Sequence, residues 1–276
     1  MPHDEVEQTD QITARLPMVR ITMNQASEAE DVVAIEYAFT ITLNGEEFAT
    51  IVCTPTHLEE LVIGFLASEG IIRTPQEIES LTLDEDRGIA RVQLHQPPDD
   101  LRKQMGSKRF IGSCCGKSRQ FYLLNDARTA KTARTNLQIT PQQCLSLMKQ
   151  MQEGSHSFQQ TGGVHNAALC SPQSILVQRT DIGRHNALDK VYGYCLQHRI
   201  QTKDAILVFS GRISSEVLLK VAKLGAGIVL SKSAPTTLAL ELANDLRITA
   251  VGFIRGETMN VYTHPERIIG AHKKVP

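Results

Sequence analysis

Three short apolar runs, residues 205–209, 227–230 and 248–254, dominate the hydrophobic pattern of the chain. Each is uninterrupted and too short for a helix, which suits strands buried on both faces of a parallel sheet. Between them, Ile213, Val217 and Val221 recur every four residues, as do Leu238, Leu242 and Leu246. Each set predicts a helix with one apolar stripe. Strand, helix, strand, helix, strand is the doubly wound α/β order, with right-handed crossovers.

The chain ahead of this block has a different rhythm. Residues 32–43 and 46–53 flank Asn44-Gly45, a strong hairpin signal. Thr56 with Glu59 has the spacing of a capping box and predicts a helix that stops at Gly70. A second box, Thr74 with Glu77, predicts a shorter helical turn, and residues 81–83 and 89–94 flank a polar turn at 84–88. Further on, Thr140-Pro141 predicts a helix start, with the helix running to about residue 152. Residues 164–170 and 175–179 bracket Ser171-Pro172-Gln173 as a hairpin, and residues 259–262 form a last strand. The expected organisation is a flexible arm over residues 1–20, a smaller α+β domain over 21–130 and an α/β domain over 131–276.

Composition narrows the function. The 276 residues carry a formal net charge of −1, which does not suggest general binding to nucleic acid or membrane surfaces. No apolar run approaches the roughly 20 residues needed to span a bilayer. The polar, acidic first ten residues are unlike a signal peptide. These features predict a cytoplasmic protein whose six cysteines are thiols rather than a disulfide framework.

The ends of the three apolar runs are the first candidate site. They lead into Ser210-Gly211-Arg212, into Ser231-Lys232-Ser233-Ala234-Pro235-Thr236, and into Arg255-Gly256. Open α/β sheets bind ligands at the carboxyl ends of their strands. Helix N-termini there favour anions, with Ser233 expected as an N-cap before Pro235. Ser210, Arg212, Lys232, Ser233 and Arg255 are therefore candidates for a phosphate- or pyrophosphate-bearing ligand. Any one of these loops alone would pass for an ordinary turn with solvated charges.

The second candidate is Cys114-Cys115. From residue 101 to 119 there are six Lys or Arg and no Asp or Glu, with Lys108, Arg109, Lys117 and Arg119 closest to the pair. Nearby cations lower a thiol pKa and favour the nucleophilic thiolate, which suits a cysteine that accepts and donates sulfur. A structural zinc site needs more ligands at wider spacing. Cys53, Cys144, Cys170 and Cys195 lie on apolar or helical faces and read as core.

From Thr140 onward the order of elements resembles the cytidine deaminase fold, a three-layer α/β arrangement. Zinc deaminases carry H-x-E and P-C-x-x-C at two helix starts. Here the first place reads His185-Asn186-Ala187, and residues 210–216 contain no cysteine. Zinc deamination is not expected, and no metal site is predicted. Asp181, Arg184 and His185 remain as candidates around that helix start.

Four strings together are similar to one family. They are Thr161-Gly162-Gly163-Val164-His165, Asp181-Ile182-Gly183-Arg184-His185-Asn186-Ala187-Leu188-Asp189-Lys190, Ser233-Ala234-Pro235-Thr236, and Tyr262-Thr263-His264-Pro265-Glu266-Arg267. They resemble the FdhD/NarQ family of formate dehydrogenase accessory proteins over residues 35–268. The resemblance implies a sulfurtransferase that takes persulfide sulfur from a cysteine desulfurase of IscS type. It implies delivery of that sulfur to the molybdenum bis(molybdopterin guanine dinucleotide) cofactor before insertion into formate dehydrogenase. It also implies a cytidine deaminase-like domain behind a small N-terminal domain, often in a homodimer.

By the same resemblance, Phe253, Ile254, Arg255, Gly256, Glu257 and Thr258 are expected to bind the cofactor. Many members carry C-x-x-C before a glycine, whereas this chain has adjacent cysteines. Cys114 and Cys115 both stay candidates for the persulfide, with Cys115, next to Gly116 and Lys117, ahead. Two other readings remain: a non-catalytic cofactor chaperone, and a nucleotide-binding enzyme using Asp181 and His185 for acid/base work.

Overall fold

The structure is a computed structural model that describes residues 12–96, 110–111 and 130–270. Strands β1 (Thr13–Thr22) and β2 (Gln25–Ala34) form an antiparallel ribbon of their own. Residues 13–20, expected in a flexible arm, are therefore a strand. The ribbon's apolar side chains Leu16, Val19 and Ile21 are exposed, while Ile12 and the residues at 32–35 at its base are buried or half-buried. An exposed ladder leaves no core periodicity to read, which is why the sequence concealed it.

Five strands follow in a second sheet, ordered β5-β6-β3-β4-β7. They are β3 (Tyr37–Leu43), β4 (Glu46–Cys53), β5 (Ile78–Asp84), β6 (Ile89–Leu94) and β7 (Phe110–Ile111). Asn44 and Gly45, at φ 51° and 86°, make the expected tight turn between β3 and β4. The sheet's inner face, with Phe39, Ile41, Leu43 and Ile51, packs on α1 (Leu58–Ser68). The box expected at Thr56 and Glu59 does not form. His57 occupies the cap position at φ 52° without a side-chain cap, and Glu59 accepts instead from Gln197 Nε2 at 2.9 Å. Tertiary contact overrode the local signal. The box at Thr74 and Glu77 is present.

The remaining chain builds a six-stranded sheet, ordered β13-β12-β11-β10-β8-β9, with helices on both faces. Its strands are β8 (His165–Cys170), β9 (Ile175–Asp181), β10 (Ile206–Phe209), β11 (Ile228–Ser231), β12 (Thr249–Arg255) and β13 (Thr258–Val261). The three apolar runs are β10, β11 and β12, and they are mutually parallel. Helix α2 (Pro141–Glu153), opened by a capping box of Thr140 and Gln143, covers one face through Leu147, Met148 and Met151. A short α3 (His156–Thr161) follows it. Helices α4 (Arg184–Gln197), α5 (Ser215–Leu224) and α6 (Thr237–Asp245) cover the other face. Alternation along β10 divides the work: Ile206 and Val208 face α2, and Leu207 and Phe209 face α4 and α5.

Two details of this part differ from expectation. The N-cap of α6 is Thr236, not Ser233. The fully buried seam of α6 is Ala239 and Ala243, and Leu238 is exposed. Small residues let α6 lie close to the sheet, so the larger leucines flank the contact rather than fill it.

Helix α4 belongs to both halves. Its Ala187 and Val191 pack on the six-stranded sheet, while Tyr192 and Leu196 pack toward the five-stranded one. It crosses α1 with the backbones in contact. A Cβ at Gly64 would lie 1.8 Å from Asp189 O, and one at Gly193 would lie 1.9 Å from Glu60 O. Only glycine fits either crossing point.

Candidate functional site

The sheet register brings the carboxyl ends of β9, β10, β11 and β12 to one edge, together with the start of the antiparallel β8. Phe209 pairs with Ala167, and His165 with Asp181. The N-termini of α4, α5 and α6 begin at the same edge, because each helix follows one of these strands. The three loops expected to converge are stitched together. Ser231 Oγ donates to Gly211 O at 2.7 Å and accepts from Ser233 N at 2.9 Å. Phe253 N donates to Ser233 O at 3.1 Å, and Arg255 Nε donates to Lys232 O at 3.2 Å. Ser210 is tied to β8 by paired bonds with the backbone of Asn166.

This edge forms a cationic rim. Arg212 is exposed, Lys232 and Arg184 are half-buried, and Arg255 is exposed. Arg184 Nε is buried with no hydrogen-bond partner among the described residues, a donor suited to an incoming anion. His185 Nε2 lies 3.2 Å from Glu216 Oε2 on α5. Phe253 sits at φ 53° beside a register shift in β12, and the Arg255 guanidinium lies 5.5 Å from its ring centroid. A bulky residue in the left-handed region is strained and marks the segment as specialised. Gly256 and Glu257 form the exposed turn to β13, where Thr258 Oγ1 donates back to Arg255 O.

Two expected site residues are elsewhere. Ile254 is buried in the core against α2, because strand alternation turns it away from the rim. Asp181 is fully buried beneath the rim and fully engaged. Its Oδ2 takes the Lys190 ammonium at 2.7 Å, Thr54 N at 3.1 Å and Thr54 Oγ1 at 3.0 Å. Its Oδ1 accepts from Gly183 N at 2.8 Å and Asn186 Nδ2 at 2.9 Å. A carboxylate so occupied has nothing left for a ligand or for acid/base work. It holds α4 to β4 instead.

Sequence reasoning missed His165 and Glu216. His165 opens β8 next to Gly211, where a Cβ would lie 3.6 Å from His165 Nδ1. Burial, then the Arg184 charge, lowers its pKa below the ordinary histidine value against the opposing pull of Asp181. It is thus a neutral imidazole on a cationic rim at pH 7. The string ending in His165 was visible in the sequence; its place beside Arg184 needed the register. Glu216 gave no signal before α4 and α5 were seen side by side.

Cys114 and Cys115 lie outside the described residues. Cys53, Cys144, Cys170 and Cys195 are buried thiols, each pushed up to about 12 chiefly by burial. Among the described residues, no group of three or more His, Cys, Asp or Glu is placed to hold a metal ion. No helix there is long and apolar enough to cross a membrane.

The sequence profile of the FdhD/NarQ family matches residues 34–269. A sulfur carrier protein FdhD of Bacillus subtilis is 56% identical over 259 residues, spanning 94% of this chain and 98% of that one. The protein of the same name from Geobacillus kaustophilus is 58% identical, over 92% and 97% of the two chains. A crystal structure from Desulfotalea psychrophila, described as a formate dehydrogenase accessory protein, superposes with a TM-score of 0.76 at 27% identity. It covers 94% of this chain and 100% of its own.

Proposed function

The chain belongs to the FdhD/NarQ family, and on that premise we propose that it is a sulfur carrier in formate dehydrogenase maturation, working through Cys114 or Cys115. The observation that carries this reading is the state of the other four cysteines. Buried thiols at about 12 hold no useful thiolate at neutral pH. Of the six cysteines, that leaves the pair set among Lys108, Arg109, Lys117 and Arg119.

In the proposed loading step, the cysteine thiolate attacks the terminal sulfur of a persulfide on a cysteine desulfurase of IscS type. A new S–S bond forms, the donor's S–S bond breaks, and the donor cysteine leaves as thiolate. In delivery, the terminal sulfur passes to the metal of the substrate, the molybdenum bis(molybdopterin guanine dinucleotide) cofactor. The carrier cysteine departs as thiolate, and the metal supplies the two electrons that convert sulfane sulfur to sulfide. The cofactor's pyrophosphates suit the rim. Arg184, Arg212, Lys232 and Arg255 supply positive charge, and three helix N-termini face the same edge. Phe253 offers a ring beside them for a planar base. The six-stranded unit then serves as a cytidine deaminase-like scaffold without the deaminase chemistry, since Ala187 stands two residues after His185, where H-x-E needs its glutamate.

The test is Cys114→Ala and Cys115→Ala, singly and together. Mass spectrometry after incubation with a cysteine desulfurase and cysteine should find added sulfur on the unaltered chain at 114 or 115 and none on the double variant. Formate dehydrogenase activation should be lost with it, while guanosine diphosphate binding persists. Activation retained by the double variant would replace the carrier with a non-catalytic chaperone.

A further inference from the structure

The motif at residues 181–190 does two things, and the buried half of it has no place in the reading above. Three of its buried polar side chains, Asp181, Asn186 and Lys190, meet one short stretch of the five-stranded half, residues 52–54 at the end of β4. Asn186 Nδ2 donates to Val52 O at 2.8 Å as well as to Asp181. Lys190 Nζ donates to Thr54 O at 3.2 Å and Thr54 Oγ1 at 2.8 Å. Asp181 takes both donors of Thr54 on one oxygen, and on the other takes Gly183, the N-cap of α4, and Asn186 in its first turn, the two residues that flank Arg184 and His185. One carboxylate therefore bridges β4 and the rim. The bridge is tight: a Cβ at Gly183 would lie 2.5 Å from Asn186 Nδ2.

β4 is also the strand on which the cysteine-bearing segment is rooted. β7 runs parallel to β4, with Thr50 opposite Phe110 and Ile51 opposite Ile111. β7 therefore ends beside the anchored end of β4, its last residue one position short of Val52 in the register. Cys114 is three positions beyond Ile111 in sequence, a covalent reach of at most about 11 Å. A buried ion pair is weak evidence for stability, since apolar replacements often serve as well. Its use here is to set geometry.

We propose that Thr54, Asn186, Asp181 and Lys190 are positioning residues for sulfur delivery, holding the root of the cysteine segment against the cationic rim. This rests on the sulfur-carrier reading. Loading requires only the cysteines and a donor enzyme, whereas delivery requires the cysteines and the rim in register. The anchor therefore matters for the second step and not the first.

Thr54→Val removes the hydroxyl that joins Asp181 and Lys190 and keeps the side-chain shape, and Thr54→Ser restores the hydroxyl. Asn186→Ala cuts the link from α4 to β4 and leaves the ion pair whole. Each variant is examined for thermal unfolding, for sulfur uptake at 114 and 115 from a cysteine desulfurase and cysteine, and for activation of a formate dehydrogenase produced with the variant as its sole accessory protein. The expected result is uptake within about twofold of the unaltered chain, activation reduced about tenfold or more in Thr54→Val and Asn186→Ala, and recovery in Thr54→Ser. Uptake and activation falling in parallel with the folded fraction would make these residues merely structural and overturn the proposal, as would full activation in both variants. Failure of the unaltered chain to take up sulfur overturns the sulfur-carrier reading itself, and the anchor with it.

Discussion

The seam between the two sheets and the rim above it draw on the same ten residues and use polar side chains in opposite ways. At the seam, Asp181 and Lys190 have no exposed surface, and each has partners on all sides. Asp189 likewise takes Ser68 Oγ at 2.6 Å and Lys220 Nζ at 2.5 Å, joining α1, α4 and α5. Arg179 grips Glu60 with two bonds of 2.6 and 2.7 Å. At the rim, Arg184, Arg212 and Lys232 gather positive charge around a buried donor with no partner among the described residues. Residue type alone does not separate these cases. What separates them is whether complementary groups are already within reach.

The largest expected effect breaks the seam. Lys190→Ala leaves the Asp181 carboxylate buried without its cation, and removing one member of a buried pair costs about 3–5 kcal/mol. Denaturant unfolding should show that loss with little change in the slope of free energy against denaturant. A loss below about 1 kcal/mol would mean that water reaches Asp181 and that the seam is not closed.

How far this division could be read from sequence depends on what fixes each part. The parallel strands were legible because uninterrupted apolar runs of that length have few other uses, and the Asn44-Gly45 turn because two successive residues at positive φ narrow the choice of residue. The cap at Thr140 was legible because its partners lie within three residues. The cap expected at Thr56 failed for the converse reason: Gln197, distant in sequence, claimed Glu59. In the sequence Asp181 looks like a site residue because its partner Thr54 lies 127 positions away. The sequence shows that a motif is polar, but only the register shows which of its members are already satisfied.

The second effect separates rim from seam by sparing stability. Arg212→Gln with Lys232→Gln removes two cations that make no side-chain bond in the described hydrogen-bond network. Surface changes of this kind stay within about 0.5 kcal/mol of the parent stability. Affinity for guanosine diphosphate, by titration calorimetry at constant low salt, should fall about tenfold, because cations at an exposed and a half-buried position act on an anion through a partly screened field. Unchanged affinity would detach the rim from anion binding.

The smallest effect distinguishes two histidines by the side of the seam on which they stand. Burial, then the charges of Arg179 and Lys190, lowers the His57 pKa to about 3. The unfolded chain therefore takes up a proton near pH 6.5 that the folded chain refuses. Stability contributed by neutral His57 is present above pH 6.5 and is lost as pH falls below it toward 3. From pH 6.5 to 5.5 one such group removes about 1 kcal/mol. His57 stands at φ 52°, a conformation asparagine tolerates better than most residues. His57→Asn should thus fold and flatten that part of the pH profile by about the same amount. The acid-side slope that remains then includes His165, whose pKa is lowered in the same direction. If His57→Asn leaves the slope between pH 6.5 and 5.5 unaltered, the His57 imidazole is protonated in the folded chain, and the seam is wetter and less positive than its ion pairs imply.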